Sequence, residues 1–216
     1  AMKRRDFLAA TASATALVPL AALPARAEMA MSPAEKPVSP MQWTDENGLT
    51  RFLKVDPDPV TDDLGKYPRC PYCGMMRAMF SASRHLIVYE NDTVDGTCSI
   101  HCAAISLALN MDAGPKAIYA GDAGAEGETK PLADTAAMTY VIDPAKPGTM
   151  SAVSKLAFAD RAKAEAAAAG SADASLADFD TALMAAYVEM AKDTAMIRKR
   201  RGEKRHDMGL KMPGSH

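Results

Sequence analysis

Two pairs of cysteines constrain this chain more than any other feature: Cys70-Pro71-Tyr72-Cys73, and Cys98 with Cys102. The first pair is spaced two residues apart in a proline-bearing turn. The second is spaced i, i+4, which on a helix puts both sulfurs on one face. Between them His85 to Tyr89 is strand-like, Asn91-Asp92 makes a turn, and Thr93 to Thr97 supplies a second short strand. A hairpin that feeds a helix would bring four thiolates around one ion, as knuckle-type zinc sites do, with His101 as a fifth donor.

The surrounding pattern is mixed. Ile100 to Met111 carries a helical stripe of Ile100, Ala103, Ala104, Leu107, Ala108 and Met111, and Lys116 to Ala120 reads as a further strand. A comparable order recurs with a strand at Met138 to Ile142, another at Ser151 to Lys155, and an alanine-rich helix from Ala157 to Ala169 ending at Gly170. The expected fold class is therefore α+β, two weakly similar ββαβ units with an added long C-terminal helix. That helix carries Leu176, Phe179, Leu183, Tyr187, Met190 and Ile197 on one face and starts near Asp173 or Ser175. Pro57, Pro59 and Pro68 are expected to exclude regular structure up to the cysteines.

The first residues read as an address. Lys3-Arg4-Arg5, the apolar stretch Phe7 to Leu23 and the small-residue triplet Ala25-Arg26-Ala27 have the order of a signal peptide, and Arg4-Arg5-Asp6-Phe7-Leu8 resembles the twin-arginine export signal. The apolar stretch is too short to span a bilayer. The expected organisation is a signal peptide over 1–27, a flexible segment over 28–66, a metal-binding domain over 67–170, a C-terminal helix over 171–205 and a tail over 206–216. The expected location is the periplasm, with no stable membrane anchor. Removing 1–27 takes four of the 25 basic and one of the 27 acidic residues, which leaves a net charge of −5 and argues against nucleic-acid binding.

In an exported chain four cysteines ordinarily suggest two disulfides, but the 189 residues that remain of 216 after 1–27 suffice for a real core without staples. Metal binding is the reading the spacing favours. Copper(I) is separated from zinc by the neighbouring thioethers Met75, Met76 and Met79, soft donors that suit copper(I), whereas zinc is held by thiolate, imidazole and carboxylate. The other methionines include Met111, Met184 and Met190 on helical stripes, where core packing is the simpler reading. His85, inside an apolar strand, reads as a packed core side chain. Two other classes remain: a thiol-disulfide oxidoreductase using Cys70 and Cys73, and an interaction module built on a structural zinc in Cys70, Cys73, Cys98 and Cys102. The first lacks the strand-to-helix setting of thioredoxin-like motifs. The four histidines form no triad or zinc-protease spacing, no phosphate loop appears, and the chain is expected not to be an enzyme. Arg198 to Arg205 reads as a solvated helix end, since cations suit a helix C-terminus.

Cys70-Pro71-Tyr72-Cys73-Gly74-Met75, followed by a strand hairpin, a helix, and Ala137-Met138-Thr139-Tyr140-Val141 leading to Met150 and Ala157-Phe158, resembles the NosL family over roughly 67–170. The resemblance implies copper(I) held by cysteine and methionine sulfur, with Cys73 or Cys70 and Met75 or Met150 as ligands. The implied partner is the maturation machinery of a copper enzyme, nitrous oxide reductase in that family. Three features depart from it: no cysteine near Ala27 serves as a lipid anchor, Met150 precedes Ser151 where a glycine usually stands, and the second pair, Cys98 with Cys102, goes beyond the minimal family pattern and leaves a closed four-sulfur zinc-like site open.

Overall fold

The computed structural model describes residues 46, 48 and 52–207. The leader and the tail from 208 lie outside the described residues. A five-stranded antiparallel sheet, β1 (Lys54–Val55), β3 (Thr93–Thr97), β2 (His85–Tyr89), β4 (Pro115–Gly121) and β5 (Leu132–Asp134) in that order, carries helix α2 (Ile100–Leu109) between β3 and β4. A three-stranded sheet follows in the order β7 (Ser154–Phe158), β6 (Thr139–Asp143), β8 (Ser175–Ala177), with α3 (Arg161–Ala169) between β7 and β8. The fold is α+β. In both sheets the first strand of a strand-strand-helix-strand run lies between the other two.

Strand β2 is buried along its whole length, which explains why His85 to Tyr89 is a continuous run rather than an alternation. Leu86 and Val88 pack with Val94 and Tyr119 on one side, while Ile87 and Tyr89 pack with Ala103 and Leu107 beneath α2. The two sheets share a core in which Ile100, Ala104, Ala120, Met138, Tyr140, Ala157, Ala182 and Ala186 meet. Alanines dominate this seam, so α2 and α4 (Phe179–Asp207) approach closely, and the Tyr187 hydroxyl donates to the Ala104 carbonyl at 2.8 Å.

Several element boundaries differ from expectation, each for a local reason. Asp178 caps α4 by accepting from the Thr181 N–H at 2.8 Å, so the helix begins at Phe179 and not at Asp173 or Ser175. Ser175 to Ala177 instead pairs with Tyr140 to Ile142 as β8. Ser151 is held in a turn by Gly148 and Val153, which moves β7 to Ser154–Phe158. Asp160 then caps α3, so Ala157 and Phe158 belong to the strand despite their alanine-rich surroundings. Ahead of the cysteines, Lys54–Val55 adds to the sheet edge within the segment expected to be flexible, and Asp63–Lys66 forms a short helix, α1, between Pro59 and Pro68, which were expected to exclude regular structure there.

Candidate metal centre

Cys70 and Cys73 sit in a closed turn. The Cys70 N–H donates to the Met75 carbonyl and the Gly74 N–H to the Cys70 carbonyl, each at 2.9 Å. Gly74 has φ +77°, a left-handed conformation that costs glycine little and other residues more, which accounts for the Cys-Gly order. The Gly74 carbonyl accepts from Arg69 Nη1 at 3.0 Å. On the other side, Ser99 caps α2 by accepting from the Cys102 N–H. The helix therefore starts at Ile100: Cys102 is in its first turn, and Cys98 lies just before the cap rather than on the helix as the spacing suggested.

Hairpin β2–β3 brings the two pairs together. The four Sγ atoms lie within 4.8 Å of one another, with Cys73 to Cys98 at 3.4 Å and Cys98 to Cys102 at 3.8 Å. A disulfide requires about 2.05 Å, and all four thiols are free. Sulfurs at the corners of a tetrahedron around an ion with bonds of about 2.3 Å are about 3.8 Å apart. The spacing thus suits four sulfurs around one soft ion. Cys70, Cys98 and Cys102 are 0–1% exposed, and Cys73 alone is half-buried. Met75, Tyr72 and Phe80 pack against the cluster.

The thiols are strongly coupled. Hydrogen bonds from Cys102 and then Cys98 hold the Cys70 thiol far below its ordinary range, against the opposing effect of burial. Cys102 is pushed up by its bonds to Cys70 and Cys98 and by burial. For Cys98 the bond with Cys102 acts downward, but Cys70 and burial prevail and raise it. A metal ion bound by these thiols would displace their protons.

The turn is fastened from behind by groups that no sequence motif indicated. The Tyr72 hydroxyl donates to the buried Asp95 carboxylate, which also accepts from Ser106; the Ser106 and Tyr89 hydroxyls are 2.6 Å apart. Burial raises the Asp95 pKa, and the bonds from Ser106 and Tyr72 oppose it. Gly96 follows because a Cβ there would come within 2.6 Å of Tyr67 Cβ. Further back, Arg77 donates from Nε to the Thr97 carbonyl at 3.1 Å and from Nη1 to the Tyr67 carbonyl at 2.8 Å, tying together the segments that precede each cysteine pair. The one available signal was a charged residue within an otherwise strand-like run, Val94-Asp95-Gly96.

The other candidates are placed differently. Met150 stands on the loop between β6 and β7, 39% exposed and at φ +64°. Its neighbour Thr149 meets Ser83 Oγ at 2.9 Å, and Ser83 donates to the Cys98 carbonyl at 2.8 Å, so this loop is tied to the cysteine segment. His101 does not join the sulfurs as a fifth donor; its charged neighbours are Asp193, Lys155 and Glu189, and burial lowers its pKa. This follows from the helical step, which turns position 101 away from the face of Cys102. His85 is a core residue, with Nε2 2.8 Å from the Tyr140 hydroxyl and Nδ1 3.0 Å from the Ser83 carbonyl.

The model of the NosL family matches residues 61–181, more than half of the chain and a span that holds all four cysteines, Met75 and Met150. The chain belongs to the NosL family. NosL proteins are not enzymes, and neither is this chain. Among solved structures it is similar to the copper chaperone NosL from Shewanella denitrificans, at 21% identity over 52% of this chain and 87% of that one, with a TM-score of 0.43. No curated protein matches it.

Proposed function

We propose that this NosL-family chain is a copper(I) metallochaperone that is exported to the periplasm and supplies copper to an enzyme such as nitrous oxide reductase. The observation that carries the reading is a four-sulfur cluster, within 4.8 Å, that has a thioether packed against it and a single solvent-reachable thiol. A soft, monovalent ion is matched by thiolate and thioether donors. A carrier must also offer an approachable ligand to the next protein, and Cys73 in its loop supplies one. In this reading copper is cargo. Cys70, Cys73, Cys98 and Cys102 take it up, Met75 contributes beside them, and Met150 is a further donor on the loop tied through Ser83. The leader 1–27 directs twin-arginine export, and among the described residues no helix is long and apolar enough to cross a membrane.

The test is metal analysis of protein purified without oxygen, followed by copper(I) titration against a competing chelator. One copper per chain, held against the chelator and displacing any zinc, is the expected result. A single zinc that excess copper(I) cannot displace would establish the second reading, a structural zinc knuckle, which the approach of four thiols to within 4.8 Å and the burial of three of them favour.

A further inference from the structure

We infer that Cys73 and Cys98 form a reversible disulfide when the cluster is free of metal, with Cys73 as the sulfur that meets the oxidant. The pair joins residues from different segments, whereas the sequence motif would pair Cys70 with Cys73. Exposure decides the point of entry, because Cys70, Cys98 and Cys102 are 0–1% exposed and only Cys73 meets solvent. Proximity decides the partner: Cys98 Sγ is 3.4 Å from Cys73 Sγ, so closing to about 2.05 Å needs a movement of about 1.3 Å. The movement falls on the Cys73 side: Gly74, next to Cys73, has open space in its Cβ direction, whereas Cys98 is buried with its carbonyl held by Ser83 and Cys102 is fixed in the first turn of α2.

The chemistry needs only a low-molecular-weight disulfide as oxidant. Cys73 gives up its proton and its sulfur attacks one sulfur of that disulfide, breaking the S–S bond and expelling one thiolate, which takes up the proton. The mixed disulfide on Cys73 is then attacked by the Cys98 sulfur, whose proton goes to the second departing thiolate. Two protein thiols become one disulfide, and the oxidant, gaining two electrons and two protons, becomes two thiols. The bridged protein keeps only Cys70 and Cys102 as thiol ligands and loses the four-sulfur site. A bound ion would occupy the same sulfurs and block the first attack. The bridge itself does not depend on whether that ion is copper or zinc.

The experiment treats the metal-free full chain with oxidised glutathione, alkylates the remaining thiols and maps the products by mass spectrometry. The expected outcome is loss of two of the four thiols per chain, a Cys73–Cys98 bridge, and alkylation at Cys70 and Cys102. Cys73→Ser should neither bridge nor take a glutathione adduct, and Cys98→Ser should stop at a stable adduct on Cys73. The wild-type map and Cys73→Ser decide the matter if Cys98→Ser does not fold. A Cys70–Cys73 or Cys98–Cys102 bridge, a first adduct elsewhere, or no reaction at all would overturn the inference. Because this readout contains no copper, its failure is distinct from failure of the chaperone reading, which the chelator titration tests.

Discussion

Asp63 is the carboxylate on which the scaffold behind the cysteines rests, and Asp63→Asn tests it. Its Oδ2 accepts from Arg77 Nη2 at 2.9 Å and Arg84 Nε at 3.0 Å, and its Oδ1 accepts from Arg84 Nη2 at 3.1 Å. Arg77 is fully buried and Arg84 nearly so, so one carboxylate serves two buried cations. The amide keeps the shape of the side chain but removes the charge, and its NH₂ group turns donors toward donors. Leaving one buried charge without its partner costs about 3–5 kcal/mol, and here two guanidiniums lose the same partner. We expect a loss at the upper end of that range, a large share of the total stability of about 5–15 kcal/mol of an ordinary domain. At about 2–4 °C per kcal/mol for a domain of this size, the thermal midpoint should fall by about 10–20 °C. Urea unfolding of the metal-free protein gives the free energy directly. Lys116→Met, which removes an exposed pair with Asp92, is the control and should leave the midpoint within error. A loss below about 1 kcal/mol for Asp63→Asn would refute the reasoning, because it would mean that the guanidiniums are satisfied by backbone carbonyls alone.

Cys73→Ser should abolish copper(I) binding in the chelator competition while leaving metal-free unfolding unchanged, since its site is half-buried and a hydroxyl is a poor ligand for a soft ion. Cys98→Ser and Cys102→Ser place a hydroxyl where the thiol is buried, and urea titration should show each less stable by about 1–3 kcal/mol. Burial lowers the His85 pKa from 6.5 to about 4, so the unfolded chain takes up its proton first as pH falls. Stability is then full above pH 6.5 and is lost on descending toward pH 4; between pH 7.5 and 4.5 this residue should account for a fall of about 2.5 kcal/mol that is absent in His85→Gln. Tyr72→Phe, which removes one of the donors to buried Asp95, should cost about 1.5–3 kcal/mol by the same unfolding assay.

Elements whose burial is uniform or whose period is regular could be read from the sequence. Strand β2 is one, because every residue from His85 to Tyr89 is enclosed, and α2 is another, because its stripe packs on both the sheet and α4. Composition misled where alanine occupied a strand: Ala157 pairs with Tyr140 between two sheets, a place that selects small side chains for close approach rather than for helix propensity. The start of α4 was missed for a related reason. Leu176 fits the helical stripe, yet it pairs with Val141 in β8, and only the Asp178 cap marks the change. Short strands such as β1 and β8 leave almost no periodic signal, since two or three residues cannot display a period of two.

The cluster itself was legible because its chemistry is local, two close pairs with a turn and a helix start, while its support is not. Asp63, Arg77 and Arg84 carry no motif, and as isolated residues each would be placed at the surface. What holds them inside is the set of acceptors they meet: Arg77 donates to the carbonyls of Tyr67, Thr97 and His85 as well as to Asp63. The same economy ties the Met150 loop to Cys98 through Ser83, which bonds both Thr149 and the Cys98 carbonyl. Sequence spacing can propose which sulfurs meet, but the scaffold that holds the segments of the four thiols together is built from polar contacts between those segments. Disturbing Asp63 should therefore weaken metal binding as well as folding, although it lies outside the ligand set.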